Sequence, residues 1–197
     1  AVLRSGNSFA DGFGTSLSLQ GGTLMVGAPL DTPFSNPSEG SVYVFRLNAE
    51  NIWESAQVLT ANGGQTSDRF GSSISINSTM VLIGAPGIDV GQSREVGGGY
   101  VFSLEGGVWQ YRAQLTPPIT TAEFSGMGTT AALLGTKAML GRNGTVFQPW
   151  TGRTPLVWGY AMGTNPSIWN FVEALLSPPV TTTRRVRMKA GPLAIGG

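Results

Sequence analysis

The sequence predicts an all-β fold made of repeated four-stranded antiparallel sheets, the architecture of a β-propeller. The main observation is a period of 57 residues, because Asp-Gly-Phe-Gly at 11–14 returns as Asp-Arg-Phe-Gly at 68–71, and Gly-Ala-Pro at 27–29 returns at 84–86. In addition, 29 glycines and 12 prolines are typical of many short strands joined by tight turns. No segment holds a helical stripe of apolar residues beyond two turns. A period this long indicates an array of stacked supersecondary units.

Each repeat contains the pattern of four strands. Residues 73–76 alternate polar and apolar side chains, as expected of a first strand with one buried face. A two-residue turn leads into a second strand that is apolar on both faces and ends at Gly-Ala-Pro. In this interpretation the small residues let another backbone approach, and the Phe of Phe-Gly packs between neighbouring sheets. The third strands are predicted at 42–47, 100–104 and 145–148, and the fourth strands at 53–60, 109–116 and 169–177.

The repeat also predicts the organisation of the chain as one propeller segment over residues 1–197. The units are expected at about 5–60, 61–117 and 118–177, with a partial next unit at 178–197. In the third unit, Met127 and Gly128 replace Phe-Gly, and the loop after the second strand is read as shortened. Three whole units leave apolar sheet faces uncovered at both ends. We therefore expect an incomplete propeller, continued by more chain or completed by other chains.

These motifs resemble those of a known family. Phe-Gly followed thirteen residues later by Gly-Ala-Pro, a Gly-x-Val-Tyr-Val-Phe strand and a Trp-x-x-x-Ala-x-x-Leu-Thr strand are similar to the FG-GAP repeats of the integrin α-subunit propeller and of surface proteins built from such repeats. The resemblance is strong over residues 1–117 and weaker afterwards. It implies a propeller of usually seven blades, most often secreted or at the cell surface, that serves binding, adhesion and assembly. The first residue is Ala rather than Met, so we expect a processed or excised piece.

The composition argues against catalysis. The chain has no Cys and no His, which removes thiolate chemistry and the commonest general base. Ser and Thr are plentiful, but none lies in a motif with an activating base, so we expect no enzyme. Asp11 and Asp68 share one repeat position and are interpreted as turn caps. A further interpretation is that the chain is an accessory domain of a metal-dependent enzyme. Enzymatic activity of the isolated chain, abolished by a chelator, would support it.

The sequence predicts no resident cofactor. The integrin propeller loops that bind calcium carry Asp-x-Asp-x-Asp-Gly, which offers oxygen ligands at alternate positions. The equivalent loops here hold one Asp and one Glu each, Asp31 with Glu39 and Asp89 with Glu95. Asp31 and Asp89 are therefore the calcium candidates, although the family's motif is missing.

Two hypotheses for function follow. The first is a non-catalytic module that binds other protein chains through loops 30–39 and 87–97, with candidate residues Asp31, Phe34, Glu39, Asp89, Arg94 and Glu95. The second is a carbohydrate-binding propeller in which loop aromatics stack on glycans, with candidates Phe34, Trp150, Trp158 and Tyr160. The competing interpretation of these rings is structural, as filling for the seam beside the third loop.

Three further patterns concern the surface. Asn77 and Asn143 open Asn-x-Ser/Thr sequons, so both are candidates for N-glycosylation. The basic cluster of Arg184, Arg185, Arg187 and Lys189 lacks interleaved aromatics, so we interpret it as a guarded edge strand and expect no nucleic acid partner. No apolar run approaches the roughly 20 residues of a membrane-spanning helix.

Overall fold

The computed structural model describes residues 2–5, 11–118, 125–142 and 155–176, which form twelve strands and, within those ranges, no helix. The strands form three four-stranded antiparallel sheets, each from consecutive segments of chain. Sheet 1 contains β1 Ser16–Gln20, β2 Thr23–Ala28, β3 Ser41–Leu47 and β4 Trp53–Thr60. Sheet 2 contains β5 Ser73–Ile76, β6 Met80–Ala85, β7 Gly98–Glu105 and β8 Val108–Leu115. Sheet 3 contains β9 Thr130–Leu134, β10 Lys137–Gly141, β11 Pro155–Met162 and β12 Trp169–Leu176. The predicted all-β fold with one sheet per repeat is confirmed.

The third repeat departs from the prediction in one strand. Its third strand is β11, Pro155–Met162, whereas the sequence pattern placed it at 145–148, which lies outside the described residues. In β11, Trp158 and Tyr160 pair with Leu140 and Ala138, as Tyr100 and Phe102 pair with their neighbours in sheet 2. The segment between β10 and β11 is therefore as long as the equivalent loops in the first two repeats. The predicted shortening of the third loop was wrong because a Trp-Gly-Tyr strand was not matched to Tyr-Val-Phe.

The sheets pack face to face in chain order. We call the face that packs on the following sheet the trailing face, and the face that packs on the preceding sheet the leading face. Seam 1 joins the trailing face of sheet 1 to the leading face of sheet 2, and seam 2 joins sheets 2 and 3 in the same way. The buried residues of seam 1 include Met25, Val42, Val44, Leu59, Phe70, Val81, Ile83, Tyr100 and Phe102. Those of seam 2 include Leu82, Val101, Leu115, Met127, Ala138, Leu140, Trp158 and Tyr160.

The Phe-Gly and Gly-Ala-Pro motifs meet across these seams. Phe70 is fully buried in seam 1, with its ring edge-on to the rings of Tyr100 and Phe102 at centroid distances of 5.4 and 6.1 Å. A Cβ added to Gly27 of sheet 1 would overlap the carbonyl oxygen of Gly71, so the two backbones touch there. Gly84 and Gly128 repeat that contact in seam 2, where Met127 takes the place of Phe. The structural roles inferred for these motifs are confirmed.

Serine side chains tie the first strands of adjacent sheets together. The Ser16 hydroxyl donates to the carbonyl of Gly71 (2.6 Å), and the hydroxyl of Ser73, its repeat equivalent, donates to that of Gly128 (2.8 Å). Two positions later, Ser18 accepts from the amide of Ile76 (3.3 Å), and Ser75 accepts from that of Leu133 (2.9 Å). These bonds fix the register between sheets, which apolar packing alone defines less sharply.

Candidate interaction surface

Two loops lie at the same edge of sheets 1 and 2, and we call them the loop edge: residues 29–40 between β2 and β3, and residues 86–97 between β6 and β7. Each is held by the chain that enters the next sheet. The amides of Ser67 and Phe70 donate to the carbonyls of Pro37 (2.9 Å) and Glu39 (2.8 Å) in the first loop. The amide of Met127 donates to the carbonyl of Val96 (3.1 Å) in the second. The shape of each loop thus depends on the seam beneath it.

The two acids of the first loop point inward. Asp31 is buried, and its carboxylate accepts hydrogen bonds from the Tyr43 hydroxyl (2.8 Å) and the Thr32 amide (2.8 Å). Glu39 is also buried, and its carboxylate accepts from the side-chain amide of Asn36 (3.0 Å). These carboxylates therefore shape the loop from inside rather than face a partner.

The second loop carries its charges differently. Asp89 is exposed, and one of its oxygens accepts from the amide of Glu95 (2.8 Å). Glu95 also pairs with the Arg69 guanidinium at 2.9 Å, with both side chains about two-fifths exposed, which links the loop to the Phe-Gly turn below it. Arg94 is exposed between them. Among the described residues, no group of three or more acidic side chains is arranged to hold a metal ion.

A buried carboxyl lies beneath the loop edge. Burial raises the pKa of Asp68 above its usual range, although the Gln65 amide, which donates to this carboxylate (2.8 Å), acts in the opposite direction. The nearby carboxylates of Asp89 and Glu39 raise the pKa of Asp68 further. The turn-cap interpretation holds at Asp11, which accepts from the Phe13 amide (2.9 Å).

Apolar side chains form the outward part of the first loop. Phe34 has 67% of its surface exposed, and Leu30 is also exposed in the same loop. Exposed aromatic rings at loop tips are common anchors of protein interfaces. Of the six predicted loop residues, Phe34, Asp89 and Arg94 face outward, Glu95 is half-buried in its ion pair, and Asp31 and Glu39 face inward.

Two of the candidate sugar-stacking rings are not on the surface. Trp158 and Tyr160 are buried in seam 2, and the Tyr160 hydroxyl donates to the carbonyl of Thr116 (2.8 Å). The expectation that they lie outside the core positions was wrong, because they occupy the positions of Tyr100 and Phe102 in the repeat. The structural interpretation of these two rings, as filling for a seam, agrees with their burial. Trp150 lies outside the described residues.

The opposite edge of the sheets carries a shallow cavity of about 470 Å³ between the hairpin turns of sheets 2 and 3. Asn77 lines it, in the turn between β5 and β6 where the sequence placed it. Its side-chain amide donates to the carbonyl of Gly135 (3.2 Å), and its oxygen accepts from the amides of Thr79 and Met80. Asn77 therefore bridges two turns. Asn143 and the basic cluster at 184–189 lie outside the described residues.

The sequence missed the links that join the loop edge to the seams. No sequence motif predicted either of two such contacts. The Arg69–Glu95 ion pair joins residues 26 positions apart, and the Tyr43–Asp31 hydrogen bond joins residues 12 positions apart. The only available signal was that Arg69 stands where the other two repeats have glycine, at Gly12 and Gly126.

Comparison with known proteins agrees with this geometry. The family model described as FG-GAP repeat matches residues 4–45 and 53–102, which are the first repeat and most of the second. None of the curated proteins compared with the chain matches it significantly. No helix long and apolar enough to cross a membrane occurs in the described part of the chain. With two matched repeats, a third sheet of the same topology and the paired glycine contacts at both seams, the chain is an FG-GAP repeat protein whose sheets are blades of a β-propeller.

Proposed function

We propose that this chain is a non-catalytic interaction module that binds other proteins through the loop edge, in an extracellular or cell-surface assembly. The observation that carries the proposal is that two loops are fixed by seam hydrogen bonds while Phe34, Asp89 and Arg94 project from them. A rigid scaffold that presents an exposed ring beside separated charges suits protein recognition, because little ordering entropy is lost on binding. The FG-GAP repeat family, typical of surface proteins, supports the proposed location.

The partner surface is expected to be mixed in chemistry. Phe34 and Leu30 offer an apolar contact at one side of the loop edge, and Asp89 and Arg94 offer opposite charges at the other. Such an arrangement favours a folded protein with an apolar pocket and a polar rim over a strongly charged polymer. The charge balance of +1 is also too small to attract a nucleic acid.

The test is site-specific photo-crosslinking. A photoreactive phenylalanine is placed at position 34 and, as the control, at the exposed Val108 on the outer hairpin of sheet 2. Each chain is presented to secreted and surface proteins of the source organism. We expect defined products from position 34 alone, lost when unlabelled chain is added in excess. An excess of the Phe34→Ser chain should not compete, whereas Val108→Ser should. Equal products from both positions, or equal competition by Phe34→Ser, would contradict the proposal.

The alternative hypothesis, that the chain binds carbohydrate, now has few aromatic rings that could stack on sugars. Of the proposed sugar-stacking residues within the described ranges, Trp158 and Tyr160 are buried and Phe34 is exposed. Aromatic stacking on sugars needs a free ring face, so the alternative now depends on Phe34 and on Trp150, outside the described residues. A glycan array separates the two functions: saturable binding lost in Phe34→Ala would support carbohydrate recognition.

A further inference from the structure

The cavity of about 470 Å³ between the hairpin turns of sheets 2 and 3 lies on the edge opposite the loop edge. Its lining is mostly apolar, with Met80 and Leu104 on the side of sheet 2 and Met162 and Pro166 on the side of sheet 3. Among the described residues that line it, Glu105 is the only charged one, and its side chain is 59% exposed. The volume is within the range of ligand pockets. The cavity therefore suits a side chain with an apolar stem and a cationic end.

An arginine bridges the equivalent edge of seam 1. Arg46 in β3 pairs with the first residue of β2, and Ser103 in β7 pairs with the first residue of β6, so the two have the same place in the repeat. The Arg46 guanidinium crosses seam 1 and donates to the carbonyl of Gly107, in the turn between β7 and β8. Ser103 lines the cavity at seam 2, and its side chain is too short to cross that seam. The chain thus shows which side chain suits this place between two blades.

Sheet 2 has an arginine near the cavity, but that arginine is held by its own sheet. The Nε of Arg112 donates to the Ser103 hydroxyl (2.6 Å), and its guanidinium pairs with Glu105. Ala56 is the equivalent of Arg112 in sheet 1, because each is the unpaired residue at the irregularity of the fourth strand. Sheet 1 therefore has its arginine on the third strand, directed across the seam, whereas sheet 2 has it on the fourth strand. The second arrangement leaves the space beside Ser103 to another group.

We propose that the cavity binds an arginine side chain of another protein, which takes the place that Arg46 has in seam 1. The aliphatic stem of this arginine lies against Met80 and Met162, and its guanidinium reaches the Glu105 carboxylate. The support is the equivalent bridge within the chain together with the charge of the lining. This site is additional to the loop edge and does not depend on it, because it lies on the opposite edge and recognises one basic side chain.

Glu105 keeps acceptor capacity for such a ligand although it already pairs with Arg112. The hydrogen bond from the Ser103 hydroxyl (3.2 Å) and the ion pair with Arg112 both use Oε1. A carboxylate offers about four acceptor positions on its two oxygens, so it can bind two guanidinium groups at once. Because Glu105 is exposed and a single side chain buries little surface, we expect a dissociation constant on the order of millimolar that rises with salt.

The first experiment titrates the isotope-labelled full chain with a capped peptide that has one arginine between alanines, followed by NMR. Matched peptides replace the arginine with citrulline, which keeps the shape without the charge, with lysine or with leucine. We expect the arginine peptide to shift the amide signals of Leu104, Glu105 and Thr136, which line the cavity. The citrulline, lysine and leucine peptides should each bind at least about fivefold more weakly, because they lack the guanidinium that bonds a carboxylate in two places.

Each of the other results would overturn the assignment of this cavity to arginine. Equal binding of the citrulline peptide would mean that charge is not recognised, and equal binding of the lysine peptide would mean that any cation fits. Tighter binding of the leucine peptide would indicate an apolar partner, and shifts at the loop edge alone would place the peptide elsewhere. None of these results affects the photo-crosslinking test of the loop edge, because neither Phe34 nor the control position Val108 lines the cavity.

The second experiment repeats the arginine titration with variants of the chain. Glu105→Gln should weaken binding at least about fivefold, because the only charge in the described lining is removed. Glu54→Gln is the matched control, since Glu54 is an exposed carboxylate on the fourth strand of sheet 1 and does not line the cavity. It should leave binding unchanged. Both variants should fold, because both carboxylates are exposed. Equal affinity of the two variants for the peptide would refute the proposal.

A third chain closes the cavity from within. Ser103→Arg combined with Arg112→Ala reproduces the arrangement of Arg46 and Ala56 in sheet 1. The new arginine should occupy the cavity, so binding of the arginine peptide should fall at least about tenfold. If this double variant folds and binds the peptide as tightly as the parent chain, the peptide does not occupy the cavity and the proposal is wrong. If it does not fold, the comparison of Glu105→Gln with Glu54→Gln decides.

Discussion

The Phe-Gly glycines offer a controlled measurement of how much a blade seam restricts the backbone. Gly14, Gly71 and Gly128 have nearly the same φ, at 94°, 91° and 98°, and all three amides donate to the last glycine carbonyl of the second strand in their own sheet. Their surroundings differ, because a Cβ at Gly14 would have nothing within 4 Å, whereas one at Gly71 or Gly128 would meet backbone atoms of the sheet before it. Alanine at each position therefore introduces the same backbone strain, but only two of the three variants also meet a neighbouring sheet.

The expected magnitudes follow from those contacts. Alanine at such a φ costs about 1–3 kcal/mol wherever it is placed. At Gly14 that is the whole effect, because nothing lies within 4 Å of the new Cβ. At Gly71 the Cβ would lie 2.7 Å from the Ser41 oxygen and 3.2 Å from the Val42 side chain, which adds about 1–3 kcal/mol of overpacking. At Gly128 it would overlap the carbonyl oxygen of Gly98, so Gly128→Ala should be at least as damaging as Gly71→Ala.

The assay is urea unfolding at a concentration where the chain is monomeric. The buried Trp109 and Trp158 report on sheets 2 and 3, which is useful because repeat arrays do not always unfold as one unit. We expect the free energy of unfolding to fall least for Gly14→Ala. If Gly14→Ala destabilises the chain as much as Gly71→Ala, the motif glycines are required by their own turn and not by the neighbouring sheet.

Three further predictions concern links between and within the blades. Gln57 exchanges two 2.9 Å hydrogen bonds with the backbone of Trp109 in sheet 2, so Gln57→Ala should destabilise the chain by about 1–2 kcal/mol and speed hydrogen exchange at the Trp109 amide; unchanged exchange would contradict this. Arg69 holds φ at 58° where the other repeats have glycine. Arg69→Gly and Arg69→Ala both lose the half-exposed ion pair with Glu95, but only glycine relieves the backbone strain. The free energy of unfolding in urea should therefore be about 1 kcal/mol higher for Arg69→Gly than for Arg69→Ala. The pKa of Asp68 is raised in the folded chain, so the folded chain binds the proton of this carboxyl group more tightly than the unfolded chain does. The stabilisation that comes from this bound proton is therefore complete at low pH and is lost as the pH rises from about 3.8 through the folded pKa. Asp68→Asn should therefore flatten stability above pH 4 and raise it at pH 7, measured by urea midpoints across that range; an unchanged pH profile would show that another group is responsible.

The repeat motifs predicted most of the architecture because they record contacts that recur at every seam. Phe-Gly and Gly-Ala-Pro are conspicuous in the sequence since only glycine permits the Gly27–Gly71 and Gly84–Gly128 approaches. The third repeat was harder to predict, because its third strand keeps the alternation of aromatic residues but uses different residue types. Trp158 and Tyr160 fill the positions in sheet 3 that Tyr100 and Phe102 fill in sheet 2. Because Gly159 interrupts the Tyr-Val-Phe pattern, the two rings were assigned to the surface.

The loop edge was predictable in place but not in orientation. Loops after the second strand of each repeat vary in sequence, which indicated where binding residues lie. Whether a loop carboxylate faces in or out depends on partners far along the chain. Tyr43 draws Asp31 inward, whereas Asp89 stays exposed while bonding the Glu95 amide within its own loop.

The sequence alone determined the repeat unit, its four strands and the glycine positions that neighbouring backbones need, since period and residue type encode local geometry directly. Only the tertiary structure decided which faces of those sheets are covered. Leu17 and Ile74 have the same place in the repeat and similar chemistry, yet one is exposed and the other packs in a seam. That difference comes from the sheet that stands opposite each residue, and a residue's own pattern carries no information about it.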